Sequence, residues 1–222
     1  MAEVRPREKA MADVFDVGAY ILREIGPLHT RKLHKLIYYA QAWSLTIRGQ
    51  PLFSDAVEAW KEGPVVRRLY ETHPGEKAPL HSVPGGNADA LSTQERQIVQ
   101  AVLAVYGEED AVALIKRTHK EKPWNEARPG LPASARSSTP ITAESMTRYY
   151  SRCRERADID VALAKLAEAS FMSLVGKRSG SDVPDRMLEI ARRTIRDRAA
   201  LPREEPDAWV RRMTEKLAGA ND

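Results

Sequence analysis

Apolar positions along this chain recur mainly at intervals of three and four, which predicts helices far more often than strands. Asp13 is placed to cap a helix through Ile25, on which Phe15, Ala19, Leu22 and either Tyr20 or Ile25 share a face. Gly26-Pro27 ends it. Thr30 then opens a helix of about 18 residues. Its Leu33, Leu36, Ile37, Ala40, Trp43 and Ile47 form one broad stripe, and Gly49 supplies a left-handed stop.

Residues 51–61 alternate loosely and predict an extended segment or short strand, after which Pro64 suits the first turn of a helix through Tyr70. From His73 to Leu91 prolines and glycines interrupt any period, so this stretch reads as an exposed loop. Ser92-Thr-Gln-Glu95 is a capping-box pattern opening a helix to Tyr106. Gly107 separates it from a helix over 109–119, and residues 128–140 form a Pro/Ser-rich break. Thr142 opens a helix to roughly Arg156, followed by helical patterns over 160–175, 184–199 and 206–218. The fold class is mainly α: a compact multi-helix domain over 12–150 with at most a small β-hairpin, a flexible tail over 1–11, and a helical C-terminal extension over 151–222.

Composition narrows the function classes. A chain of 222 residues can bury a substantial core. Cys153 is the sole cysteine, which excludes an intramolecular disulfide and suits the reducing cytoplasm. The apolar runs are too short to cross a bilayer, so no membrane role is expected, and residues 1–11 lack the apolar core of a signal peptide. The net charge of +4 is spread evenly: 20 basic against 18 acidic residues up to position 150, and 15 against 13 after it. That balance permits nucleic-acid contact without favouring it. Arg192, Arg193, Arg196 and Arg198 give one late helix a basic face, but Asp185, Glu189 and Asp197 intersperse it, as in a solvated helix.

Candidate chemistry is sparse. His29, His34, His73, His81 and His119 have no spacing that converges on a metal, no Gly-x-Ser-x-Gly elbow surrounds Ser44, Ser92 or Thr118, and no glycine-rich phosphate loop occurs. Neither metal nor cofactor is expected. His119 has a catalytic reading, as a general base oriented by Glu121 or Glu126, and a simpler one, as a helix-terminal histidine favourable to the helix dipole. The aromatic set Tyr38, Tyr39, Trp43, Trp60 and Tyr70 reads as core around Trp43, with Tyr39 and Trp43 able to meet Trp60, while Trp60 itself is equally suited to a partner surface.

The pieces Lys32-Leu-His-Lys-Leu-Ile-Tyr-Tyr-Ala-Gln-Ala-Trp43, Gly49-Gln-Pro-Leu-Phe53, Glu58-Ala-Trp-Lys-Glu-Gly-Pro-Val-Val66, Tyr106-Gly107 and Thr118-His119 through Pro123-Trp124 stand in a fixed order. In them the chain resembles the Panacea antitoxin domain, a family that includes SocA-type antitoxins and phage-associated GepA-like proteins, over about Asp16 to Tyr150. The resemblance implies a cytoplasmic bacterial or phage protein without catalytic residues that neutralises a cognate toxin by direct contact. SocA-type members also suggest an adaptor role, delivering the toxin to the ClpXP protease.

On this reading Trp60, Lys61, Glu62 and Val66, with the 184–218 helices, are the contact candidates. Tyr39, Gln41, Trp43, Gly63, Pro64, His119, Pro123 and Trp124 are motif residues that hold the fold. The toxin's identity and a homo-oligomeric state are left open. The alternatives are a DNA-binding regulator acting on its own promoter, and a hydrolase built on His119.

Overall fold

The computed structural model describes residues 11–75, 77–153 and 155–166. The helical patterns over 184–199 and 206–218, the Arg192–Arg198 face and most of the N-terminal tail lie outside the described residues. Within them the chain folds as α1 (Val14–Ile25), α2 (Thr30–Arg48), β1 (Val57–Trp60), β2 (Gly63–Val66), α3 (Arg67–Tyr70), α4 (Thr93–Tyr106), α5 (Ala111–Lys120), α6 (Lys122–Glu126) and α7 (Ala143–Tyr150). A further helical stretch covers 156–166. The fold is mainly α, with one small antiparallel strand pair among the described residues.

Local chemistry accounts for the helix ends. Asp13 accepts a hydrogen bond from the Phe15 amide, Asp110 from Ala113 and Thr142 from Ser145. Ser92 and Glu95 form both halves of the capping box. Gly49 stops α2 at φ 67°, a conformation that costs a residue with a Cβ. One boundary differs: Thr30 lies inside α2, and its N-cap is His29, which makes no side-chain capping bond. The helix predicted from Thr142 is shorter as well, because α7 stops at Tyr150 rather than near Arg156.

The core is organised around α2. From Leu33 to Thr46 every residue is buried, so α2 is enclosed on all sides, where the apolar stripe alone predicts one covered face. It contacts α1, α4, α5, α7 and β2. On α1 the buried residues include Val14, Val17, Gly18 and Ile21, at helical spacing, whereas Phe15 is only half-buried beneath the Arg68 guanidinium and Ile25 is exposed. Of the predicted face, Leu22 and Tyr20 are buried while Phe15 and Ala19 are half-buried at the edge of the core, so the packed face is centred on Val14, Val17 and Ile21 instead. Trp43 stands against Tyr106, which accepts its indole N–H bond at 3.3 Å, and against Tyr150 at 5.2 Å between rings. Tyr39 stacks on Tyr106 at 4.1 Å. Neither indole nor phenol meets Trp60, which contacts Tyr70 instead. The core continues past α7, since Ile159 is fully buried.

Burying a whole helix also buries its polar side chains, and each then needs a partner. Gln41 accepts bonds from the Leu52 and Phe53 amides and donates to the Phe53 carbonyl, so one side chain ties the loop after α2 back onto it. Replacing Gln41 by Leu should strand those three backbone groups in the core and cost about 2–4 kcal/mol. A urea midpoint within error of the parent would contradict this assignment.

Candidate functional site

The most specific geometry surrounds the β1–β2 hairpin. Two paired strands of four residues are marginal by themselves, so this hairpin depends on what its edges meet. Its register is Val57↔Val66, Glu58↔Val65, Ala59↔Pro64 and Trp60↔Gly63. With a two-residue turn at Lys61-Glu62, the Trp60–Gly63 pair is the hydrogen-bonded one and Ala59–Pro64 the next, non-bonded one. Pro64 therefore stands where β2 needs no amide donor toward β1. This explains why Pro64 lies in a strand, against the expectation that it starts a helix.

The groups that point away from the hairpin are met by other elements. On the β1 side, the Ala59 amide donates to the Thr139 carbonyl at 2.8 Å, and the Ile141 amide to the Val57 carbonyl at 2.7 Å. The Arg128 guanidinium reaches the Ala59 carbonyl at 2.9 Å and lies 4.6 Å over the Trp124 ring. On the β2 side, Lys35 donates to the Pro64 carbonyl at 3.0 Å, and the Val66 amide donates to His34 Nδ1 at 3.4 Å. Trp124 Nε1 donates to the Trp60 carbonyl at 2.9 Å, and Trp124 itself stacks on His119 at 4.1 Å. The segments 32–43, 58–66 and 118–124, far apart in the chain, thus meet at one place.

Gly63 is the tightest point of this assembly. Its φ is +94°, and a Cβ there would stand 2.4 Å from Lys35 Cε and 2.9 Å from Thr118 Oγ1. Lys35 is wholly buried, and desolvation lowers its ammonium to about 7, with Glu62 pulling upward and Arg31 downward. Burial also holds His34 well below the ordinary histidine value, helped by Lys35 and His73. His119 is lowered as well, by burial first and then by Lys35. A neutral ring stacked on Trp124 replaces the cationic helix-end histidine that the sequence suggests.

The hairpin tip is exposed where the base is buried. Lys61 and Glu62 face outward, Glu62 paired with Arg31 at 3.1 Å. Trp60 is half-buried, donates from Nε1 to Glu58 at 2.6 Å, and has Arg67 5.3 Å from its ring. Arg67 holds Glu58 through two bonds, of 2.9 and 2.8 Å. Val66, expected as an exposed contact, is 1 % exposed, because its side of β2 packs into the core. Between the tip and α2 lies a cavity of about 710 Å³, whose lining includes His34, Lys35, Trp60, Tyr70, Arg136 and Ser137. His34, Lys35, Arg67 and Arg136 are participants that motif reading passed over, although a lysine and a histidine inside the apolar run 33–40 were the available signal.

A second polar centre lies deeper. Glu121 is buried and accepts from Tyr39 at 3.1 Å and from Tyr150 at 2.7 Å; desolvation raises its carboxyl to about 7. Glu126 bonds Ser145 and Arg148. Both carboxylates named as partners for a His119 base are therefore engaged elsewhere, and the hydrolase geometry is not formed. Among the described residues no group of three or more His, Cys, Asp or Glu converges on a point, and no helix is long and apolar enough to cross a membrane.

Residues 33–125 match the family model described as antitoxin SocA-like, Panacea domain. The match is narrower than the span 16–150 over which the resemblance is read, and it runs from the first buried turn of α2 into α6. It therefore covers the hairpin, α2 beneath it, and the α5–α6 corner that holds Trp124. The flanking α1 and α7, which also pack on α2, lie outside it. No curated protein and no solved structure matches the chain.

Gly63→Ala should destabilise the protein by about 2 kcal/mol or more, since it adds backbone strain to a collision with Lys35. An unchanged melting temperature would refute the close approach. For Glu121 the folded carboxyl titrates near 7 and the unfolded one near 4.5, so the folded state holds an extra proton between them. Its contribution to stability falls as pH rises through that window. The melting temperature of Glu121→Gln should gain on the parent from pH 5 to pH 8, and a constant difference would contradict a buried, protonated carboxyl.

Proposed function

We propose that this chain is an antitoxin that neutralises a cognate toxin by direct protein–protein contact, and that the β1–β2 hairpin tip is the centre of the contact surface. The observation that carries this reading is where the SocA-like Panacea match falls: on the hairpin and on α2 and the α5–α6 corner that hold its β2 side and turn, with Lys61 and Glu62 left outward on a buttressed base. A rigid, exposed turn lowers the ordering cost of binding. Trp60 and Arg67 beside it are residue types that serve as interface anchors.

The other features fit a binding role in the cytoplasm. Glu121 and Glu126 are committed to structural bonds, and desolvation holds His34 well below the ordinary histidine value. Delivery of the bound toxin to ClpXP is the extension that the resemblance to SocA-type members supports. Toxin half-life in cells with and without ClpX measures it.

Co-expression with the product of the neighbouring reading frame should relieve its growth arrest and yield a co-purifying complex. The double charge reversal Lys61→Glu with Glu62→Lys should weaken that complex by about tenfold or more while leaving the melting temperature unchanged. Persistent arrest with no complex would contradict the function. A complex indifferent to the reversal would move the contact surface elsewhere.

A further inference from the structure

We infer that the cavity between the start of α2, the β1–β2 hairpin and residues 136–138 is a binding site for an anionic oxygen group, a carboxylate or a phosphate. The inference stands whether or not the chain neutralises a toxin. Its volume of about 710 Å³ is that of a small-ligand site.

The first argument is an unfilled donor. His34 is 2 % exposed and lines the cavity. Its Nδ1 accepts from the Val66 amide, so the neutral ring carries its proton on Nε2, and that atom is buried with no hydrogen-bond partner. Buried donors are nearly always satisfied, so the ring is best completed by an acceptor from outside the chain.

The second argument is charge. Lys35, wholly buried at the base, has the Pro64 carbonyl as its one hydrogen-bond acceptor among the described residues, although an ammonium carries three donors. Arg31 and Arg67 stand at the rim, paired with Glu62 and Glu58, while Arg136 forms no ion pair among the described residues. α2 begins here without a side-chain cap and its Thr30 and Arg31 line the cavity, so the positive end of its dipole lies at the cavity's edge. An anion would meet His34 Nε2, Lys35 and Arg136 together. Desolvation dominates at Lys35, with Glu62 on the hairpin favouring the ammonium and Arg31 on α2 opposing it, while Lys35 in turn disfavours protonation of His34 on α2 and His119 on α5. A bound anion would add to Glu62 and favour the ammonium, so binding above neutral pH should draw one proton from solution.

Thermal melting of the full chain with inorganic phosphate, glutarate or tetraglutamate peptide, each against sodium chloride of equal ionic strength, tests the site. A saturable rise in melting temperature is expected, weakened about tenfold in Arg136→Gln, which alters an exposed side chain, and unchanged in Arg148→Gln on the far α7. Calorimetry at pH 8 in two buffers of different ionisation heat should show proton uptake that Lys35→Met removes. Tighter binding of the peptide assigns the anion to a polypeptide partner; equal or tighter binding of phosphate or glutarate assigns it to a small molecule. A shift matched by sodium chloride, or identical in Arg136→Gln, overturns the inference.

Discussion

The complete burial of α2 is the constraint from which the rest of the structure follows. A helix covered on one side needs only an apolar stripe, whereas a helix covered on every side must also place its polar side chains where the core supplies partners. Here the partners are groups of other segments, mostly backbone and in one case the Glu121 carboxyl. Gln41 holds the loop before β1, Lys35 holds the Pro64 carbonyl, His34 receives the Val66 amide, and Tyr39 bonds Glu121 at the start of α6. Each bond satisfies a buried group and positions an element at the same time.

The hairpin shows how this becomes function. Four-residue strands cannot hold their own geometry in water. The backbone at Ala59, Val57, Pro64 and Val66 is instead engaged by residues 139–141, Arg128, Lys35 and His34. The short turn between the strands is consequently presented on a fixed base. Fixing it requires a glycine, because Lys35 crosses where the Gly63 side chain would be. The same crossing places a desolvated amine and an unsatisfied imidazole beside the cavity.

What was legible in the sequence is what local physics decides. The caps at Asp13, Ser92 and Thr142 and the stop at Gly49 depend on residues within one helical turn, and they form as read. The mainly helical class follows from periodicity for the same reason. Readings failed where a residue's state depends on a remote neighbour. Pro64 occupies a strand because Ala59 faces it across the hairpin, and Val66 is buried because β2 packs on α2. Trp43 finds Tyr106 and Tyr150 rather than Trp60 because α4 and α7, not the hairpin, cover that end of α2. Lys35 and His34 gave a signal, two ionisable residues within an apolar run, but their roles appear only once β2 is beside them.

Amide hydrogen exchange of the free protein tests the central claim most directly. If the hairpin is locked between α2 and residues 139–141, the Val66 and Ala59 amides should exchange only through the same global opening that exposes the middle of α2. Exchange of those two amides orders of magnitude faster than α2, through a local opening of the hairpin, would contradict the account.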